Sequence, residues 1–281
     1  MVVFLEIRTA EDEIMKWITR SLAFVICLVT ATPSMGGGTV LVPVQDNTLY
    51  EILVGVDEGN GAPPSNGAGD YFFAGRTAFT NELRRGLLMF DIAGSLPPGA
   101  VVTNATLSLE VSRTISGPGS VELHRLLSDW GEGASDADGE EGTGTPAATG
   151  DATWIHTFYD TGFWASAGGD FSATVSAFQS VDGTGPYAWG STPEMVADVQ
   201  SWLDNPSGNY GWLVLGDEVN QPSAKRFNSR ESGTSVPQLA ITFQAPVPST
   251  PIWGLSALLV GLLVMGFWWL RTRVESRSVA R

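Results

Sequence analysis

The chain has one cysteine, Cys27, and it lies inside an N-terminal apolar run. A protein cut after that run carries no thiol, which removes disulfides, cysteine nucleophiles and iron–sulfur ligation from consideration. Basic residues are scarce as well. Between Gly36 and Thr250 there are 8 Lys and Arg against 25 Asp and Glu, a net charge near −17 for that stretch and −15 for the whole chain. Phosphate backbones are held by clustered cations that release counterions, and the basic clusters here are only the pairs Arg84-Arg85 and Lys225-Arg226. Nucleic acid is therefore excluded as a partner, and an acidic surface suits solubility or divalent cations. Catalytic signatures are missing too: there is no G-x-S-x-G elbow, H-E-x-x-H pair or P-loop, and no G-x-G-x-x-G following a strand. The two histidines, His124 and His156, fall in expected strands and read as surface or hydrogen-bonded groups.

What is abundant is turn-forming and aromatic. The 33 Gly and 16 Pro, beside 10 Trp and 13 Phe, describe many turns separating short strands. Leu107, Leu109 and Val111 alternate with Thr106, Ser108 and Glu110, the period of a half-buried strand. The pattern returns at Val121 and Leu123, which places the following His124 toward solvent, and again at Leu239, Ile241 and Phe243. Amphipathic strands of this kind bury their apolar faces by stacking two sheets, so the expected fold is an all-β, jelly-roll-like β-sandwich. One short helix is expected over 193–203. Ser191 with Glu194 forms a capping box there, Val196, Val199 and Leu203 share a face, and Trp202 pins the helix to a sheet. Asp57–Asp70 and Gly131–Gly150, rich in Gly, Pro, Ala and acid, read as long surface loops.

Both ends read as targeting segments. Met15-Lys16 to Arg20 is a positive n-region, Ser21 to Val29 an apolar run and Val29-Thr30-Ala31 a small-residue site, so residues 1–31 are expected to be a signal peptide. Glu6, Glu11, Asp12 and Glu13 fit such a peptide badly, which points to translation starting at Met15; the alternative is a cytoplasmic stub ahead of an uncleaved anchor. A Gly36-Gly37-Gly38 spacer then leads into the sandwich, expected over 39–245. Within 246–281, Ile252 to Leu270 carries no charge. At roughly 1.5 Å per residue it reaches about 28 Å, enough for an inner-membrane span, and Arg271, Arg273 and Arg277 place the C-terminus in the cytoplasm.

Several segments in order resemble the bacterial DNRLRE-domain proteins, some relatives of which are carbohydrate-binding modules. They are Arg84-Arg85-Gly86-Leu87-Leu88-Met89-Phe90-Asp91, Leu96-Pro97-Pro98-Gly99-Ala100, the strand Val102 to Leu109, Trp130-Gly131-Glu132-Gly133, Ala152-Thr153-Trp154, Val199-Gln200-Ser201-Trp202, and Ser229-Arg230-Glu231-Ser232 ahead of Pro237-Gln238-Leu239. The resemblance implies a jelly-roll-like sandwich that serves as a surface or polymer-binding module. The stretch Val247-Pro248-Ser249-Thr250-Pro251-Ile252-Trp253-Gly254 resembles the CTERM sorting signals of Gram-negative bacteria, which implies an exosortase-like processing enzyme and release to the cell surface or medium.

The resulting expectation is a non-catalytic cell-envelope or extracellular-matrix module that binds polysaccharide. A carboxylate-based glycosidase or lyase is the second reading, because two acids at the right separation suffice, and a purely structural surface protein is the third. Arg226, Arg230, Glu231 and Trp164 are the candidate ligand-binding residues. A guanidinium forks onto the carboxylate of an acidic sugar, or pairs internally with Glu231 or Asp91, while aromatics around Tyr71-Phe72-Phe73 and Phe163-Trp164 stack on sugar rings or join the core. Asp136, Asp138 and Glu140, in a Gly-rich acidic loop, are the candidate calcium ligands, although Gly139 directly after the second aspartate breaks EF-hand spacing.

Overall fold

A computed structural model describes residues 36–51, 61–78, 82–246, 259–269 and 271. The signal-peptide region, Cys27 and the Val247–Gly254 motif lie outside the described residues. One compact unit runs from Ser34 to Pro246, and its regular structure is mostly β, with one α-helix and a short 3-10 turn.

Strand β6 (Val101–Thr114) organises one half of it. Its alternation is as expected: Leu107, Leu109 and Val111 are buried, and Ser108 between them is exposed. Leu107 pairs with Leu239 of β15 (Gln238–Gln244) on one edge and with Trp189 of β12 (Gly185–Gly190) on the other. Beyond β15, its far end pairs with β14 (Lys225–Asn228), and β14 in turn pairs with β4 (Tyr71–Arg76). The other half forms around β5 (Leu83–Met89). Arg84 there pairs with Tyr50 of β2 (Gln45–Tyr50) on one edge and Gly75 of β4 on the other. Next to β4 on that second edge lies β13 (Trp212–Leu215), followed by β7 (Gly119–Leu126) and β11 (Phe171–Val181). Strand β4 thus belongs to both halves, and with β1 (Gly36–Leu41) these strands make one eleven-stranded antiparallel sheet that curls back over itself; β3 (Pro64–Ser65) with β8 (Thr145–Pro146), and β9 (His156–Phe158) with β10 (Gly162–Phe163), form two short ladders apart from it.

The space between the halves is filled by Phe72 stacked on Phe227 (5.1 Å between rings) and by Trp189, Trp212 and Trp202, all buried. Trp189 comes from the β6 half, and its indole Nε1 donates to the Val121 carbonyl of the β7 half at 2.8 Å. An aromatic thereby supplies both apolar area and a directed tie across the core. A second apolar cluster lies on the opposite face of β2, β5 and β13. Leu49, Leu87 and Leu213 are covered there by Trp130, Trp154 and Trp164 of the long excursion between β7 and β11. Strand β13 reads Trp-Leu-Val-Leu without alternation because both of its faces are covered.

Helix α1 (Pro193–Asp204) packs Met195, Val199, Trp202 and Leu203 onto β6 and β11. Its N-cap is Thr192, whose hydroxyl accepts from the Met195 amide; the expected cap, Ser191, instead accepts from the Ala105 amide of β6. Two further expectations are corrected. The glycine spacer is part of a strand, β1 (Gly36–Leu41), paired with β15, and a Cβ at Gly37 would come within 2.6 Å of the Phe243 ring, so the missing side chain is what lets that ring lie across the strand. His124 is buried, because the excursion brings Phe171 and the Ser172 carbonyl over it. Its Nδ1 meets that carbonyl at 2.9 Å and its Nε2 meets Glu122 at 3.2 Å.

Outside this unit, residues 259–269 are helical and carry no charged side chain, with Leu263, Met265, Phe267 and Trp268 largely exposed. Among the described residues no helix is long and apolar enough to cross a membrane, and 252–258 and 270, the rest of the expected span, lie outside them.

Trp202 sits edge-on to Trp212 at 4.6 Å, and its indole N–H has no acceptor. Trp202→Ala is expected to lower unfolding free energy by about 3–5 kcal/mol and Trp202→Phe by less. Ile115→Ala, at an exposed position, is expected to stay within about 0.5 kcal/mol of the parent in the same denaturant titration.

Candidate functional site

The excursion after β7 is acidic, and its acids explain how it is held. Glu132 accepts the Asp46 amide of β2 on Oε1 at 2.8 Å, and its own carbonyl accepts Asn47 Nδ2 at 2.9 Å. Glu141 accepts the Tyr71 amide, the Asp70 amide and Asn66 Nδ2 at 2.9, 3.2 and 2.7 Å, while its carbonyl takes the Tyr50 hydroxyl. These contacts hold Glu141 at φ 60°, a left-handed backbone that costs a residue with a Cβ roughly 1–2 kcal/mol. Asn47 ties the same region together from below, accepting the Asn66 amide and donating to Ser65. Close backbone approach requires glycine: a Cβ at Gly67 would fall 1.8 Å from the Glu132 carbonyl oxygen, and one at Gly133 would fall on the Asp151 carboxylate. The segment expected to be a surface loop is thus a docked one, with Ser135, Ala137, Glu141 and Ala147 buried.

Docking brings the Arg230 guanidinium onto Glu132 as a two-pronged pair, Nε to Oε1 at 2.8 Å and Nη2 to Oε2 at 2.6 Å, and onto Glu231 at 2.8 Å. The Arg230 amide donates to Asp46 Oδ2 at 2.8 Å. Arg230 therefore pairs internally, with Glu231 as expected, with Glu132 in addition, and not with Asp91. Burial pushes the carboxyls of Asp46 and Glu231 above the usual carboxylate range, and the Glu132 contact raises the guanidinium further.

The other expected site residues are dispersed. Arg226 lies 3.7 Å over the Tyr71 ring and is bonded to Ser112 (3.0 Å) and Glu140 (2.6 Å). Glu140 also pairs with Arg113, and this contact holds its carboxyl below the usual range. Trp164 is 6 % exposed with its indole on the Thr153 carbonyl, so it belongs to the covering apolar cluster and offers no ring to a sugar; its neighbour Phe163 is the exposed aromatic. Asp136, Asp138 and Glu140 are exposed and do not converge, because buried Ala137 separates the aspartates and Glu140 turns to the arginines. Among the described residues the acid group whose oxygens lie within 4.8 Å of one another is Asp46, Glu132 and Glu231.

One polar recess was not anticipated. Between β11 and α1 lies an open groove of about 240 Å³ lined by Arg125, Ser172, Thr174, Ser176, Glu194 and Asp198. Asp198 is fixed by Trp212 Nε1 at 2.9 Å and Ser176 Oγ at 2.5 Å, with Arg125 at 3.6 Å. Its residues come from three distant segments. The legible signals were the Ser172, Thr174, Ser176 alternation and the acids one helical turn apart at Glu194 and Asp198.

Glu141→Ala, which strands the Asp70 and Tyr71 amides, is expected to cost about 2–4 kcal/mol, and Asp138→Ala less than about 0.5 kcal/mol. Burial also raises the Glu141 carboxyl, outweighing its hydrogen bonds. The folded protein then keeps that proton to higher pH than the unfolded chain, so this group's contribution is complete below about pH 4 and is lost as pH rises through the folded value. The stability of the parent relative to Glu141→Gln is expected to decline from pH 4 toward pH 7; a difference that grows with pH would contradict this.

No family model matches the chain, and no curated protein matches it either.

Proposed function

We propose that the Ser34–Pro246 unit is a non-catalytic, extracytoplasmic module that binds polysaccharide. Its curled sheet is read as a jelly-roll-like sandwich of the DNRLRE type. The observation that most supports this reading is the groove between β11 and α1. Three hydroxyls, an arginine and two carboxylates line an open channel on a rigid sheet edge, a donor and acceptor set matched to sugar hydroxyls rather than to an apolar ligand. The acidic balance of the unit favours a neutral glycan, or one bridged by cations, over a polyanion.

Export through residues 1–31 and an inner-membrane tether within 252–270 complete the proposal, followed by exosortase-like processing at the Val247–Gly254 motif. The uncharged, exposed apolar side chains over 259–269 support a membrane environment for that segment. A carboxylate-based glycosidase stays as the second reading because Glu194 and Asp198 lie in the same groove.

Two experiments test these statements. On a glycan array the protein is expected to retain a polysaccharide without releasing products, and Arg125→Ala or Thr174→Arg is expected to weaken retention at least about tenfold, or 1.4 kcal/mol. Release of reducing ends that Asp198→Asn abolishes would favour the enzyme, and no retention of any glycan would favour a structural role. With one epitope tag after Arg281 and a second at Thr184, in the exposed turn between β11 and β12, both tags are expected in the membrane fraction, or the C-terminal tag alone is lost on processing. Both tags on one soluble periplasmic species would contradict the tether.

A further inference from the structure

The cluster of Asp46, Glu132, Glu231 and Arg230 is an ion-pair network whose charges do not balance. Three carboxylates face one guanidinium, leaving two negative charges uncompensated at a place where Asp46 is only 1 % exposed. Surface acids often cluster without a ligand, so the cluster alone carries nothing. What distinguishes it is a pair of buried oxygens with no hydrogen-bond donor, Asp46 Oδ1 and Glu231 Oε2. The sister oxygen of each is engaged by Arg230: its amide holds Asp46 Oδ2 and its guanidinium holds Glu231 Oε1. Both side chains are therefore fixed, with one anionic oxygen each left over. A buried charge without a partner is too costly to stand alone, and such an atom takes a cation, a proton or a water.

The donor chemistry narrows the choice. Every ligand is a carboxylate oxygen, which disfavours metals that select nitrogen or sulfur. Calcium accepts irregular oxygen sites at about 2.3–2.6 Å, so two ligands on opposite sides of it span up to about 5 Å. Magnesium at about 2.1 Å spans little more than 4 Å and demands octahedral order. The three ligand atoms lie within 4.8 Å of one another, close enough to share one ion, and they come from three unrelated segments, an irregular all-oxygen set that calcium tolerates better than magnesium does. We propose that Asp46, Glu132 and Glu231 bind one calcium ion, with Arg230 as the fixed cation that completes the charge balance. The ion joins β2, the docked excursion and the segment after β14. It clamps positions as far apart in sequence as Asp46 and Glu231, 185 residues, and so acts as a cross-link that the unfolded chain lacks. This site is separate from the groove and does not depend on glycan binding.

The full chain in detergent, stripped with chelator and dialysed, is titrated with calcium chloride or magnesium chloride while bound metal and Tm are followed. The expected result is one calcium per chain and a Tm raised by about 5–10 °C at a hundredfold excess over Kd. Asp46→Asn keeps an acceptor for the Arg230 amide and removes the charge, and it is expected to weaken calcium binding at least tenfold. Glu231→Gln serves the same purpose should the first variant not fold. The double variant Asp136→Asn, Asp138→Asn is expected to bind as the parent does. No bound calcium with an unmoved Tm would overturn the proposal. So would unaltered affinity in Asp46→Asn, loss of binding in the double variant, or a larger shift with magnesium than with calcium.

Discussion

The side chain and carbonyl of Glu132 hold the excursion between β7 and β11 onto strand β2, and the remaining architecture depends on that attachment. The carboxylate takes the Asp46 amide and the Arg230 guanidinium, and the carbonyl takes Asn47. A strand edge presents unpaired amides, and carboxylates are strong acceptors for them. Glu141 repeats the device nine residues later on Asp70 and Tyr71. Acidity that lowers the net charge of the surface is thus also the means by which a Gly-rich segment is fixed in place.

Fixing that segment decides how the sheet is buried. With Trp130, Trp154 and Trp164 seated over Leu49, Leu87 and Leu213, the β2–β5–β13 region is covered on both faces, whereas β6 keeps one face open. The same excursion carries the chain from β7 to the start of β11, so it sets where Ser172 and Thr174 meet α1. The groove, the carboxylate cluster and the second apolar cluster are three outcomes of one docking event.

What was legible in the sequence follows from this. Strands β6 and β15 have one covered face, as does β7 except where Phe171 and Ser172 cover His124, and their period of two announced them; helix α1 announced itself by its apolar spacing and the length of its run. Strand β2, Gln-Asp-Asn-Thr-Leu-Tyr, gave no such signal because Asp46, Asn47 and Thr48 are buried as hydrogen-bonding hubs rather than by hydrophobicity. His124 misled for the same reason, since alternation presumes an open second face. The composition of the acidic loop does not distinguish solvated carboxylates from docked ones: Asp136 and Asp138, the expected calcium ligands, are exposed, while Glu132 and Glu141, a few residues away, are the ones engaged. Arg230 and Glu231 stand out in the sequence because they end a basic stretch, whereas Asp46 and Glu132 lie in distant segments that only the fold brings against them.

Amide hydrogen exchange over residues 131–151 tests the central claim most directly. In the docked segment the Ala137 amide donates to Asn66 at 2.9 Å, Ala147 to the Pro63 carbonyl at 2.8 Å, and Ala148 to Asp151 at 2.7 Å. These amides are expected to exchange orders of magnitude more slowly than unstructured peptide, approaching the protection of β6. Uniformly fast exchange from Gly131 to Asp151, with β6 still protected, would show a solvated loop and contradict the account.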